Sequence, residues 1–425
     1  MRKLLPLLLL LPSLAFGLDV RVIEAAAQAG SGAQDFTSSG FGTPTAAIIE
    51  VTYATALNTD TAHASYSIGF TDCTNEASAS MNAEDAVGVG DTVHSIETTK
   101  SVQITEPGAG VVERSADASC ITDGIRLTWV EAGTAHLVKI TMFTGVGTVL
   151  VGNATPNASL NSAVNITTTF TTKLGFFLQN SNTVTGTTNT LQHTLGVMHF
   201  ATPTITQRAA YWRMENSDAA PTPDGGLVTN RATNGDTVNG TTPNYGVEVT
   251  AVTGTTVEIT TRDNTAGGEV IYLLMELPSN DAWVGTSTSP VNASTDWTET
   301  GPGFTPVAFG LILTDYAAVD TIVEASDQAG SFAFFTATDD GAEFSAGARF
   351  ENGAVNTDSR LDDKLYMMDE AGAADLNMDD PTFSATGFTF PNANITASDA
   401  SVSIGWAIEA DAGSATSIIR RRRAQ

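Results

Sequence analysis

The chain has 425 residues, with 47 acidic residues against 19 Lys and Arg and a formal charge of −28. That length holds two to four domains, each able to bury its own core, and 42% hydrophobic residues exclude a disordered chain. The acidity repels phosphate backbones and excludes nucleic acid as a partner.

The first element reads as a secretory signal over residues 1–17. Arg2 and Lys3 are followed by an apolar run, Leu4 to Phe16, too short to span a bilayer comfortably. Ala15-Phe16-Gly17 offers small residues at the two positions a signal peptidase reads. The expected mature chain starts at Leu18, carries −30 without the two leader cations, and is exported. No later segment is a transmembrane candidate.

From Leu18 onward, short Val/Ile/Thr/Phe runs lie between Gly, Asn, Asp and Ser clusters, and long amphipathic helix patterns are missing. That is the pattern of an all-β chain. Five landmarks recur three times in the same order. The first is an apolar opening at Val20, Thr148 and Ala282. The second is an aromatic leading into a buried strand at Phe41, Phe170 and Phe304. The third is an alternating strand from Ala64, His193 and Ser331. A further polar-alternating strand follows it in the first two copies, from Ala77 and Gln207. The fourth is a Gly-led strand at Gly124, Gly254 and Gly387, where glycine suits a turn with positive φ. The last is a closing strand from His136, Val270 and Ser401. The expected organisation is therefore three β-sandwich repeats over 18–144, 145–278 and 279–412, each of seven or eight strands with one buried and one wet face. Jelly-roll and other Greek-key sandwiches fit the pattern equally. The short links leave neighbouring repeats in contact.

Chemistry-bearing residues are sparse. Cys73 and Cys120 are expected to form a disulfide, as a pair in an exported chain. The five histidines, His63, His94, His136, His193 and His199, lack metal-ligand spacing, and no nucleophile motif is present. Acidic pairs at Glu84-Asp85, Asp339-Asp340, Asp362-Asp363, Asp369-Glu370 and Asp379-Asp380 read as solvated turns. No cofactor is expected. If a metal binds, it is calcium, with Asp375 to Asp380 and Asp218 with Asp224-Gly225-Gly226 as the best stretches, neither having EF-hand spacing. At the other end Arg420, Arg421, Arg422 and Arg423 form a basic tail within 413–425, suited to docking on the acidic body of another subunit.

The first copy carries Gly40-Phe41-Gly42-Thr43-Pro44, then Ser67-Ile68-Gly69-Phe70-Thr71-Asp72, then Glu84-Asp85-Ala86-Val87-Gly88, then Asp123-Gly124-Ile125-Arg126-Leu127-Thr128-Trp129. This pattern resembles a tandem module of structural proteins of tailed phages and of related bacterial and environmental secreted proteins. The third copy carries only its ends. The resemblance implies a fibre-like, decoration or surface role in a virion or extracellular assembly, with no active site to carry over. The expectation is a non-enzymatic structural subunit that self-associates or binds other structural subunits, located extracellularly, at the cell surface or on a virion. The alternative is a secreted carbohydrate-binding or adhesion protein that uses its repeats for avidity toward surface glycans. Exposed tryptophans among Trp129, Trp212, Trp283, Trp297 and Trp406 would mark it.

Overall fold

β-Branched and aromatic residues alternate here with Ala, Ser, Thr and Gly, as in Ala46-Ala47-Ile48-Ile49-Glu50-Val51-Thr52. Such runs favour pleated backbone that is packed on both sides. The computed structural model describes residues 17–410 except 86–90, 108–109, 181–185, 189–190, 215–222, 236–244, 264–267, 278–280, 291–294, 325–329, 352–356, 369–373, 392–393 and 396–400. The leader and the Arg420–Arg423 tail lie outside the described residues.

The chain is all-β. The first third holds β1 (Asp19–Ala26), β2 (Gly32–Thr37), β3 (Ala46–Thr52), β4 (Thr61–Ala62), β5 (Ala64–Thr71), β6 (Glu76–Ala83), β7 (Thr92–Glu97), β8 (Val102–Thr105), β9 (Val112–Ile121), β10 (Gly124–Trp129) and β11 (Leu137–Thr144). The second holds β12 (Val149–Ala154), β13 (Ala163–Thr167), β14 (Leu174–Gln179), β15 (Gly186–Thr188), β16 (Leu191–Ala201), β17 (Thr204–Met214), β18 (Pro223–Val228), β19 (Thr233–Gly235), β20 (Tyr245–Val252), β21 (Thr256–Thr261) and β22 (Val270–Met275). The last holds β23 (Ala282–Thr288), β24 (Trp297–Glu299), β25 (Pro306–Tyr316), β26 (Thr321–Glu324), β27 (Ser331–Thr338), β28 (Glu343–Phe350), β29 (Thr357–Asp362), β30 (Leu365–Met368), β31 (Ala374–Met378), β32 (Thr382–Ser384), β33 (Gly387–Phe390), β34 (Asn394–Ile395) and β35 (Val402–Glu409).

Three large antiparallel sheets share one strand order. They run β1-β11-β3-β5-β6-β7, β12-β22-β14-β16-β17-β18 and β23-β35-β25-β27-β28-β29. Smaller sheets accompany them: β2-β10-β9-β8, β13-β21-β20-β19, and a pair in the last third, β24-β33-β32 and β30-β31-β34. The further strand that sequence reading places only in the first two copies is present in the third as β28. Each third also has more strands than the seven or eight expected, because the smaller sheets and short edge strands escape periodicity.

Each large sheet takes its seventh strand from another third. β15 pairs with β7, β26 with β18, and β4 with β29. All three donated strands come from the connection between the second and third landmarks. The exchange is cyclic, second to first, third to second and first to third, so it closes with no copy left over. Side chains close the ring the same way. The amide of Val151 donates to Asp72 at 2.9 Å, His199 Nε2 lies 3.1 Å from Asp281, and Arg21 donates to Asp340 at 2.5 Å.

The expectation of one wet face per sheet holds only for the smaller sheets. β3, β5, β11, β14, β22 and β27 are buried along their whole length. Alternate residues serve two cores. Ile49, Val138 and Ile140 pack toward β2, β9 and β10, as Phe177 and Leu274 do in the second third and Phe309 and Leu311 in the last. Their neighbours, including Ile48, Phe70, Phe176, Phe332 and Trp406, join one cluster common to all three thirds. Burial of apolar surface there is worth roughly 25 cal/mol per Å², so the three parts stabilise one another.

Of the glycines expected at positive φ, Gly387 has it, at 155°, whereas Gly124 does not, and both are also required by close packing. A Cβ on Gly124 would stand 2.0 Å from the carbonyl oxygen of Phe36, and one on Gly387 equally near that of Glu299. Glycine is needed there for close strand approach. At the first of these hairpins the left-handed residue is Asp123, with φ 65°.

Candidate functional site

A groove of about 660 Å³ opens on the first third, lined by Tyr53, His63, Glu84, Glu106, Glu113 and Thr134 among others. Tyr53 follows β3, His63 sits between β4 and β5, and Glu113 lies in β9. Beneath it His136 is fully buried. Its Nε2 lies 3.2 Å from Glu113 Oε1 and its Nδ1 lies 3.3 Å from the carbonyl oxygen of Tyr53. Both partners are oxygen acceptors. Burial opposes ionisation of Glu113, but the hydrogen bond and charge of His136, with the Thr134 amide, hold its carboxyl below the usual range. The Tyr53 ring lies against His136, tilted by 36°, with ring centroids 4.5 Å apart. Burial, then the charge of Glu113, pushes its hydroxyl up to about 12. Tyr53 therefore keeps its proton. His63 Nδ1 accepts the Asp85 amide at 3.0 Å, which leaves the proton of a neutral ring on Nε2. The groove is an acidic surface with its tyrosine tuned away from nucleophilic form. It suits a cationic group better than covalent chemistry.

Cys73, in the β5–β6 turn, and Cys120, in β9, are disulfide-bonded, with Cα atoms 5.2 Å apart. The bond ties the large sheet of the first third to its smaller partner. The histidines do not gather into a ligand set. His94 and His193 are buried in the centre, where burial, then His94, pushes His193 down to about 3. Its neutral ring meets Tyr66 edge-on at 6.4 Å.

The expected acidic turns divide. Asp362 is buried and bonded to Arg360. Asp85 accepts the amide of Thr357, bracing the first third against the last. Asp224 is 5% exposed and paired with Arg213 at 2.5 Å, so it is no calcium ligand in waiting. Asp218, Asp369 and Glu370 lie outside the described residues. Asp379 and Asp380 meet a residue that sequence reading missed, Glu343 of β28, with carboxylate oxygens within 4.8 Å of one another. Burial, then Asp379, pushes Glu343 up to about 9. Its signal in the sequence was faint: an acid or amide recurs at one step of three equivalent strands. Tyr53, Glu113 and His136 were missed because they are far apart in the chain.

Trp129, Trp212, Trp297 and Trp406 are buried, and Trp283 is half-buried. Comparison with protein-family models, with curated proteins and with solved structures gave no match.

Proposed function

We propose that this chain is an exported, non-enzymatic structural subunit of an extracellular or virion-associated assembly, in which three tandem β-sandwich repeats act as one rigid block. The observation that carries the reading is the cyclic exchange of β4, β15 and β26 around one shared core. Closure removes the slack that would let repeats move separately, and a threefold-like block fits a position in a symmetric lattice, fibre or particle. The resemblance of the first copy to modules of tailed-phage structural proteins points the same way. In this reading the Arg420–Arg423 tail docks on the acidic body of a neighbouring subunit. The alternative, a glycan-binding array, would need aromatic platforms on each repeat, and four of the five tryptophans are committed to cores.

Peptide mapping of native material tests the proposal by comparing sedimentable particles with clear supernatant. Recovery in the particle fraction, with an N-terminal peptide beginning at Leu18, is the expected result. Recovery only as unassembled soluble chain would overturn it.

A further inference from the structure

Sheet register brings one position of the three copies into correspondence. Glu76 pairs with Thr71, Gln207 with Met198, and Glu343 with Ala337. From there each side chain reaches across to the smaller sheet and accepts one backbone amide. Glu76 takes that of Ala118 at 2.7 Å, Gln207 that of Val249 at 2.8 Å, and Glu343 that of Asp380 at 2.8 Å.

The copies differ in how they settle the charge. Gln207 is neutral, and its Nε2 also donates to the carbonyl of Val249 at 3.1 Å. Beside Glu76 stands Asp117, and Lys100 Nζ lies 2.5 Å from that carboxylate. Beside Glu343 stand Asp379 and Asp380. Glu343 is 8% exposed, and its Oε2 is buried with no hydrogen-bond partner. Lys364 follows β29 as Lys100 follows β7, yet among the described residues it forms no ion pair with this trio. A buried carboxylate with an open lone pair, aimed at two more acids, is an arrangement completed by a cation.

The backbone has changed at the same point. β9 runs unbroken past it, β20 shifts register between Val249 and Ala251, and the third copy is interrupted between β31 and β32. Asp380 takes a left-handed φ of 53° there, and Pro381 follows.

We propose that Glu343, Asp379 and Asp380 bind a calcium-class divalent cation in this break. Three carboxylates supply hard oxygen donors, and the exposed side of both aspartates leaves positions for water. The ion would tie β28 of the large sheet to the interrupted strand of the smaller ones. In the first copy the same two layers are joined by the Cys73–Cys120 bond. The inference does not depend on what the chain assembles into.

The test is calcium titration of the full mature chain, after chelation, by calorimetry and by thermal midpoint at fixed ionic strength. Saturable binding at roughly 10⁻⁴–10⁻³ M, the range of extracellular calcium modules, is expected, with a higher midpoint. The surface double variant Asp379→Asn/Asp380→Asn should keep the chelated midpoint or raise it, and weaken calcium at least about tenfold. Glu343→Gln, copying Gln207, should lose the calcium response while remaining folded in chelator. No binding, a response kept in both variants, or an equal response to magnesium would overturn the assignment.

Discussion

The ammonium of Lys139 lies 2.7 Å from Oε2 of Glu50, and neither side chain has any solvent exposure. Lys139 also donates to the carbonyl of Phe334 in the last third at 2.5 Å, while Tyr66 donates to Glu50 Oε1 at 2.7 Å. Burial pushes Glu50 up and Lys139 down, against their mutual attraction. Corresponding cross-strand pairs elsewhere are apolar: Leu178 with Ile271 and Ile312 with Ile404. Lys139→Ile alone is expected to cost about 3–5 kcal/mol, because it strands a buried carboxylate. The triple variant Glu50→Leu/Lys139→Ile/Tyr66→Phe should recover most of that loss. Urea denaturation decides it, and a triple variant as weak as the single one would contradict it.

The Cys73–Cys120 bond closes a 47-residue separation. Replacing both cysteines by serine is expected to cost roughly 2–4 kcal/mol. The loss should appear as a lower urea midpoint that a reducing agent no longer changes. Wild-type chain insensitive to reductant after verified reduction would rule this out.

Glu76 is held above the ordinary carboxylate range, at about 7, by burial and then by Asp117 against the Ala118 amide. A carboxyl raised in the folded state contributes stability below its unfolded pKa and loses it as pH rises through its folded one. Glu76→Gln, matching Gln207, should therefore raise the thermal midpoint at about pH 8.5 and leave it nearly unchanged at about pH 4. Equal shifts at both would show that titration is not the cause.

An isolated first repeat, residues 18–144, would expose Ile48, Phe70 and the rest of its share of the common core, and would lack the strand given by β15. It is expected to self-associate, trimers being the closed solution, each lending its own β4. Sedimentation velocity checks this, and a monodisperse, cooperatively unfolding monomer would refute it.

The strands that carry the five landmarks were legible because alternation survives wherever a sheet has any buried face. The apolar openings at Val20, Thr148 and Ala282 do lie at or beside the starts of corresponding edge strands of the large sheets, β1, β12 and β23. The ring was not legible. Ser65, Ser67 and Thr141 look solvent-facing in a sequence, yet all three are buried. Thr141 faces Thr336 of another third at 3.4 Å. Small hydroxyl residues fit both water and a tight interface, so pattern alone reports neither. Short donated strands such as Thr61–Ala62 are set by a distant partner and carry no periodicity of their own. The Glu343 site needed register, since its parts come from separate strands.

Closure of the ring also sets an order in time. The amide of Asn58 donates to the carbonyl of Leu361, that of His63 donates to the carbonyl of Thr357, and Arg360 donates to Asp60 across 300 positions. At ribosomal rates those partners emerge roughly 15–60 s after the segment they complete. The strand β4 that the earliest repeat lends must wait, unpaired, for β29 to be made, so synthesis ends by locking a segment from its own beginning.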